Sequence, residues 1–172
     1  MAETVFAGNI IRVETGEVML PGGARMAMEA VRHPGGAGVV ALDEARRVCV
    51  LRQYRPVLDA WVWEIPAGKL DDEEAPELAA QRELAEEAGV RAAHWQPLGD
   101  MLASPGVFDE VVHLYLATGL TAVATDLGEH EILECHWLDL DAAVARCLSG
   151  EFNDAKTVIA LLRARARLEA TP

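Results

Sequence analysis

Hydrophobic and polar positions alternate in short runs along most of the chain, with three stretches of helical period set among them. Residues 3–31 alternate weakly. Val5-Phe6 and Ile10-Ile11-Arg12-Val13 read as short strands, Pro21-Gly22-Gly23 as a turn, and Met26 to Val31 as a further strand. After the break at His33-Pro34-Gly35-Gly36, two apolar runs, Val39 to Leu42 and Val48 to Leu51, predict a hairpin of buried strands around Asp43-Glu44-Ala45-Arg46. Trp61 to Ile65, Trp95 to Ala103, Val111 to Ala117 and Ile132 to Leu138 predict further strands, and Leu120 to His130 a polar loop. Helical spacing predicts a helix running from Pro76 toward Gly89, a short one over Asp141 to Leu148, and a last one over Thr157 to Leu168. This order predicts an α/β fold with a mixed sheet between helices, an α/β/α sandwich preceded by a small N-terminal β segment.

Composition narrows the class. The chain has 172 residues, 51% of them hydrophobic, enough for one good core. A formal charge of −13 argues against a nucleic-acid partner or an anionic membrane surface. No apolar run approaches the length of a membrane span, and Met-Ala-Glu-Thr is not a basic-then-apolar leader. The three cysteines, Cys49, Cys135 and Cys147, form no CxxC pair and read as reduced structural thiols. A cytoplasmic enzyme fits this pattern.

The stretch Gly68 to Val90 carries the chemistry. Pro76 suits the first turn of a helix and Gly89 the left-handed residue just past its end. At about 100° per residue, Glu83, Glu86 and Glu87 share one arc, while Leu78, Leu84, Ala85 and Ala88 fall opposite and are expected to form the core face. A merely solvated acidic helix is the usual outcome of such a run. Here Glu83 and Glu87 repel across one turn, and the run sits at the helix end that disfavours anions. A hard, oxygen-seeking cation such as Mg²⁺ or Mn²⁺ resolves both conflicts.

From Gly68 through Glu74, Arg82-Glu83-Leu84, Glu86-Glu87 and Gly89-Val90, every defined position of the Nudix box is filled, and the chain resembles the Nudix hydrolases. The resemblance implies that divalent cations are held by Glu83, Glu86 and Glu87 together with the carbonyl of Ala67, Glu86 also counting among the catalytic candidates. Arg82 and Glu74 match positions with an architectural role, and read equally as a surface ion pair. Glu64-Ile65-Pro66-Ala67-Gly68 and Ser104-Pro105-Gly106 with Asp109-Glu110 are similar to the ADP-ribose pyrophosphatase branch. The branch places an aromatic and a small polar residue where this chain has Val107-Phe108.

On that resemblance, substrate contacts fall to Arg52, Arg55, Glu64, Pro105 and Gly106; the fork of arginine suits phosphate. Tyr54, Trp61 and Trp63 are open between stacking on a base and lying in the core. The catalytic base is expected from the loop Asp126 to Glu131, with Glu129 first, Glu131 second and Glu110 third. Residues 1–34 are expected to form a dimerisation segment and 35–172 the hydrolase domain, with Arg32 and Glu29 reaching the nucleotide of the partner in a homodimer. The implied reaction is Mg²⁺-dependent hydrolysis of ADP-ribose to AMP and ribose 5-phosphate. The alternatives are another nucleoside diphosphate sugar such as GDP-mannose, or a non-catalytic nucleotide-sugar-binding regulator.

Overall fold

Gly36–Ala41 (β4) is buried along its whole length and sits at the centre of the molecule in the computed structural model, which describes residues 2–170. Its alternate side chains face two different layers. Val39 and Ala41 pack with Leu84 of the helix Pro76–Ala88 (α1), and Val40 with Leu161 of the C-terminal helix Ala155–Glu169 (α3). A strand buried on both faces needs no alternation, which is why this run is apolar throughout.

Before it come Glu3–Ala7 (β1), Arg12–Met19 (β2) and Arg25–Arg32 (β3), an antiparallel meander. After it come Arg47–Arg55 (β5), Ala60–Glu64 (β6), Ala67–Lys69 (β7), α1, Val90–Ser104 (β8), Phe108–Ala122 (β9) and Leu133–Asp139 (β10). Leu140–Ser149 (α2) and α3 close the chain. One sheet of seven strands runs β1-β2-β3-β9-β4-β7, with β8 antiparallel to β9; a second sheet runs β10-β5-β6. The β4–β9 pairing is parallel and the sheet is mixed, with helices on both faces, as the sequence pattern predicts. The meander joins the rest of the sheet at Val31, opposite Phe108.

The expected hairpin of Val39 to Leu51 is different in the structure. The turn forms, with Asp43 accepting the Arg47 N–H at 2.7 Å and Arg46 left-handed, yet only Leu42 and Val48 bridge across it. Beyond that bridge β4 and β5 part into different sheets, because other strands take their edges: β9 and β7 flank β4, and β10 and the next strand in the chain, β6, flank β5. The loop expected from Leu120 also starts later, since β9 continues to Ala122 against β8.

The face assignment of α1 needs correction too. Leu78 is 56% exposed, whereas Ala79, Ala80, Glu83, Leu84 and Glu87 are buried. Two carboxylates therefore lie on the inward face beside Leu84, not opposite it. Small alanines let the helix approach β4 closely enough that the inward arc includes both glutamates.

The start of α3 is fixed by Asp154, whose carboxylate accepts the Thr157 N–H at 3.0 Å and the Thr157 hydroxyl at 2.6 Å. The same hydroxyl accepts the Ile65 N–H at 2.8 Å, which holds the helix N-terminus against the end of β6.

Candidate active site

The short strand β7 lies between β4 and α1, and it organises the carboxylates. Ala67 N–H donates to Glu87 Oε2 at 2.8 Å. Gly68 faces the Glu83 carboxylate so closely that any Cβ there would overlap it. On its other side, a Cβ at Gly36 would come within 2.9 Å of the Gly68 carbonyl oxygen. Glycine at both positions is thus a packing requirement, and it lets two backbones and two carboxylates share one small volume.

Arg82 holds the neighbouring charges. Its Nε donates to Glu74 at 3.1 Å and Nη2 to the other Glu74 oxygen at 2.9 Å, a two-point fork. Nη1 donates to Glu83 at 2.6 Å and to Glu86 at 3.3 Å, and Nη2 also reaches the Lys69 carbonyl at 3.2 Å. This is a buttress for the carboxylates rather than an isolated surface pair.

Glu83 and Glu87 are 7% and 3% exposed. Burial is the first cause that pushes the Glu87 carboxyl up to about 8; the Ala67 N–H opposes it, while the charges of Glu83 and Glu131 add to it. Burial likewise raises Glu83, against the pull of Arg82. Among the described residues no three carboxylate, imidazole or thiol groups converge in a ready-made cation cage. Glu83 and Glu86 are turned onto Arg82, and Glu87 onto the β7 backbone. The donor set is nonetheless all oxygen and electrically costly as it stands, which fits a hard divalent cation.

A pH test follows from Glu87. Its folded-state value lies above the ordinary 4.5, so between the two the folded protein binds the extra proton. The stability this confers is complete below about 4.5 and is lost as pH rises through about 8. In chelator-treated protein, Tm is expected to fall as pH rises across that window. Glu87→Gln, which still accepts the Ala67 N–H but cannot ionise, is expected to flatten the fall. Equal slopes for both proteins in differential scanning fluorimetry would remove Glu87 as its source.

Beside the carboxylates, a cleft of about 340 Å³ is lined by Arg55, Ala67, Lys69, His33, Glu110 and Lys156. Arg55 grips Glu64 through two bonds of 2.7 Å each. Lys156 Nζ also donates to Glu64 and lies 3.1 Å from Asp154. Burial raises the Glu64 carboxyl, but Arg55 and Lys156 together outweigh it and hold it below its usual range. His33 Nδ1 accepts the Gly35 N–H at 3.1 Å and lies 3.4 Å from Glu110.

Arg52 is elsewhere. Three positions from Arg55 on a strand, it points to the other face, 5.1 Å over Trp61 and 3.6 Å from Glu134. Tyr54 and Trp61 meet edge to face on that side, and Trp63 packs against Phe152 in the core. Glu29, Arg32, Pro105 and Gly106 line a separate depression of about 350 Å³. Arg32 there donates to Glu14 at 2.9 Å and to Asp109 at 3.1 Å. A larger cleft, about 830 Å³, opens beside Glu86 and is lined by Arg82, Arg91, Trp95 and Asp126.

Of the loop acids, Glu131 bears on the site most directly, since its charge raises both Glu83 and Glu87. It also accepts the Gly128 N–H at 2.8 Å, which folds the loop tip into a turn. Glu129 is exposed. No motif or period in the sequence marks Lys156, Asp154 or His33. The only signal for Lys156 was its rarity, as one of two lysines, just inside the start of a helix.

A NUDIX domain family model matches residues 32–161. The chain is 37% identical over 168 residues to an ADP-ribose pyrophosphatase of Mycobacterium tuberculosis, covering 96% of this chain and 81% of that protein. It is 38% identical over 161 residues to a methanol dehydrogenase activator of Bacillus methanolicus, covering 92% and 87%. A solved structure of an ADP compounds hydrolase superposes with a TM-score of 0.83 at 25% identity, covering 98% of this chain and 92% of that one. With the box carboxylates on α1, the glycine that admits them on β7 and a family match across most of its length, the chain belongs to the Nudix family.

Proposed function

We propose that this protein hydrolyses the pyrophosphate bond of ADP-ribose, giving AMP and ribose 5-phosphate. The observation that carries the reading is the buried pair Glu83 and Glu87 against β7, next to a cleft walled by Arg55 and Lys156. Similarity to ADP-ribose pyrophosphatases supports the choice of substrate.

In this reading Glu83, Glu86, Glu87 and the Ala67 carbonyl hold the divalent cation, Mg²⁺ with Mn²⁺ as a substitute. When bound, the cation offsets the charge of the phosphoryl groups and acidifies a water. Arg82 keeps the glutamates in place. Arg55, aligned by Glu64, presents its free guanidinium edge to phosphate. Glu110 in the cleft, and Pro105 and Gly106 in the separate depression that Glu29 and Arg32 also line, are the proposed contacts to the distal sugar. Glu131 takes the proton of the attacking water, a role that the effect of its charge on Glu83 and Glu87 supports over Glu129. Free thiols at all three cysteines suit a cytoplasmic setting, and no described helix is long and apolar enough to cross a membrane.

The deciding experiment is chromatography of products from a panel of nucleoside diphosphate sugars, GDP-mannose included, with Mg²⁺ present. AMP and ribose 5-phosphate from ADP-ribose at the highest kcat/KM is expected. Preference for GDP-mannose would reassign the substrate, and tight binding with no product from any member would make the chain a regulator.

The functional unit proposed here is a homodimer built through residues 1–34. Val5, Phe6, Ile10, Met19, Leu20 and Met26 are exposed on or beside the β1–β3 meander. Such a patch is uncommon on a monomer and is the kind of surface that a second copy covers. Glu29 and Arg32 then lie where the partner's nucleotide can reach them. Deleting residues 1–30 is expected to yield a monomer with little activity. A fully active monomer by light scattering and assay would contradict it.

A further inference from the structure

We propose that Cys49 and Cys135 form a redox-active dithiol, which hydrogen peroxide closes into a disulfide between β5 and β10. Their Sγ atoms lie 3.4 Å apart, in contact, although 86 positions separate them in the chain. They come together because β10 pairs antiparallel with β5, placing Cys135 opposite Leu51 and Cys49 opposite Trp137. The two cysteines are thus diagonal neighbours on one face of the small sheet. Neither contributes to the cleft beside Arg55, and the proposal does not depend on the hydrolytic reading.

The two thiols differ in the way an attacking and a resolving thiol need to differ. Cys135 is exposed and Cys49 is buried. The Cys49 thiol is pushed up first by its contact with Cys135 and then by burial. Cys135 is pulled down by the hydrogen bond from Cys49. Cys135 is therefore the thiol that solvent-borne peroxide meets, and the more readily ionised of the two. Its sulfur attacks one peroxide oxygen, the O–O bond breaks, and hydroxide leaves, giving a sulfenic acid at Cys135. The Cys49 sulfur then attacks Cys135 Sγ; the S–O bond breaks, and the Cys49 proton leaves with hydroxide as water. Two thiols are oxidised and one peroxide is reduced to two waters overall.

Closing the bond requires the sulfurs to approach from 3.4 Å to about 2.05 Å. Diagonal positions on paired strands are spaced more widely than most disulfides prefer, so the bond is a readily reduced one. In the cytoplasmic setting proposed above, a labile disulfide reached from the surface through Cys135 belongs to the transient, redox-responsive class rather than the structural one. Cys147 lies in the core against α3 and serves as the internal reference.

The test is stoichiometric hydrogen peroxide on the reduced, full-length protein, followed by thiol counting in denaturant and intact mass. The expected result is loss of two hydrogens, a Cys49–Cys135 crosslinked peptide on mapping, Cys147 as the remaining thiol, and full reversal by dithiothreitol. In Cys49→Ser the sulfenic acid on Cys135 is expected to persist and to be trapped by dimedone. Three free thiols after peroxide, a bond to Cys147, or a crosslink between two chains would each overturn the proposal. The wild-type measurement decides it even where a variant folds poorly.

Discussion

Glu87→Gln is expected to lower turnover of ADP-ribose by at least ~10²-fold at saturating Mg²⁺, the scale of losing one major electrostatic contributor. The substitution keeps the shape of the side chain and its acceptance of the Ala67 N–H, so the β7–α1 junction should survive. What disappears is the negative charge that Glu87 would carry once a cation displaces its proton. Glu83→Gln is expected to act similarly, with an added disturbance because Arg82 loses the carboxylate it meets at 2.6 Å. Steady-state kinetics across a Mg²⁺ series, with Tm as a control for folding, reads the effect. Near-normal turnover in Glu87→Gln at high Mg²⁺ would remove Glu87 from the cation site.

Glu131→Gln is expected to cut turnover by roughly 10²–10⁴-fold, the usual contribution of a positioned general base, while ADP-ribose still binds. The reason for ranking Glu131 above Glu129 is electrostatic proximity: its charge reaches both Glu83 and Glu87 across the gap between loop and helix. Glu129→Gln is expected to retain most activity. Isothermal titration for binding, set beside kcat for turnover, separates the roles. If Glu129→Gln is crippled and Glu131→Gln is not, the base lies two residues earlier. If neither matters, Glu110, beside His33 in the cleft, is the remaining acid.

Both effects concern charges that the fold keeps close against their mutual repulsion. Arg82 is the counterweight: one side chain touches Glu74, Glu83 and Glu86 together. Its guanidinium is driven further toward the charged form by Glu74 first, despite partial burial. Burial, with the charges of Glu83 and Glu131 added to it, outweighs the Ala67 N–H and holds the Glu87 carboxyl up to about 8.

The local elements and the family were legible in the sequence. Pro76, Gly89 and the helical spacing between them determined α1, because helix starts and stops depend on residues within one turn. The glutamate spacing and the glycine six residues before Glu74 identified the family for the same reason: the constraint is local and every part of it is adjacent in the chain. The tertiary structure decided what local spacing cannot carry. Helical period alone gave α1 two opposed faces, but which arc is buried depends on how closely Ala79 and Ala80 let it approach β4, and that arc contains Glu83 and Glu87. Apolar runs alone made a hairpin of β4 and β5, whereas β9 and β7 take the edges of β4, and β10 and the adjacent β6 those of β5. Lys156 meets Glu64 across 92 positions, and Cys49 meets Cys135 across 86. Such meetings are set by the packing of α3 on β6 and the pairing of β10 with β5, contacts between distant segments that leave no period or motif in either segment by itself.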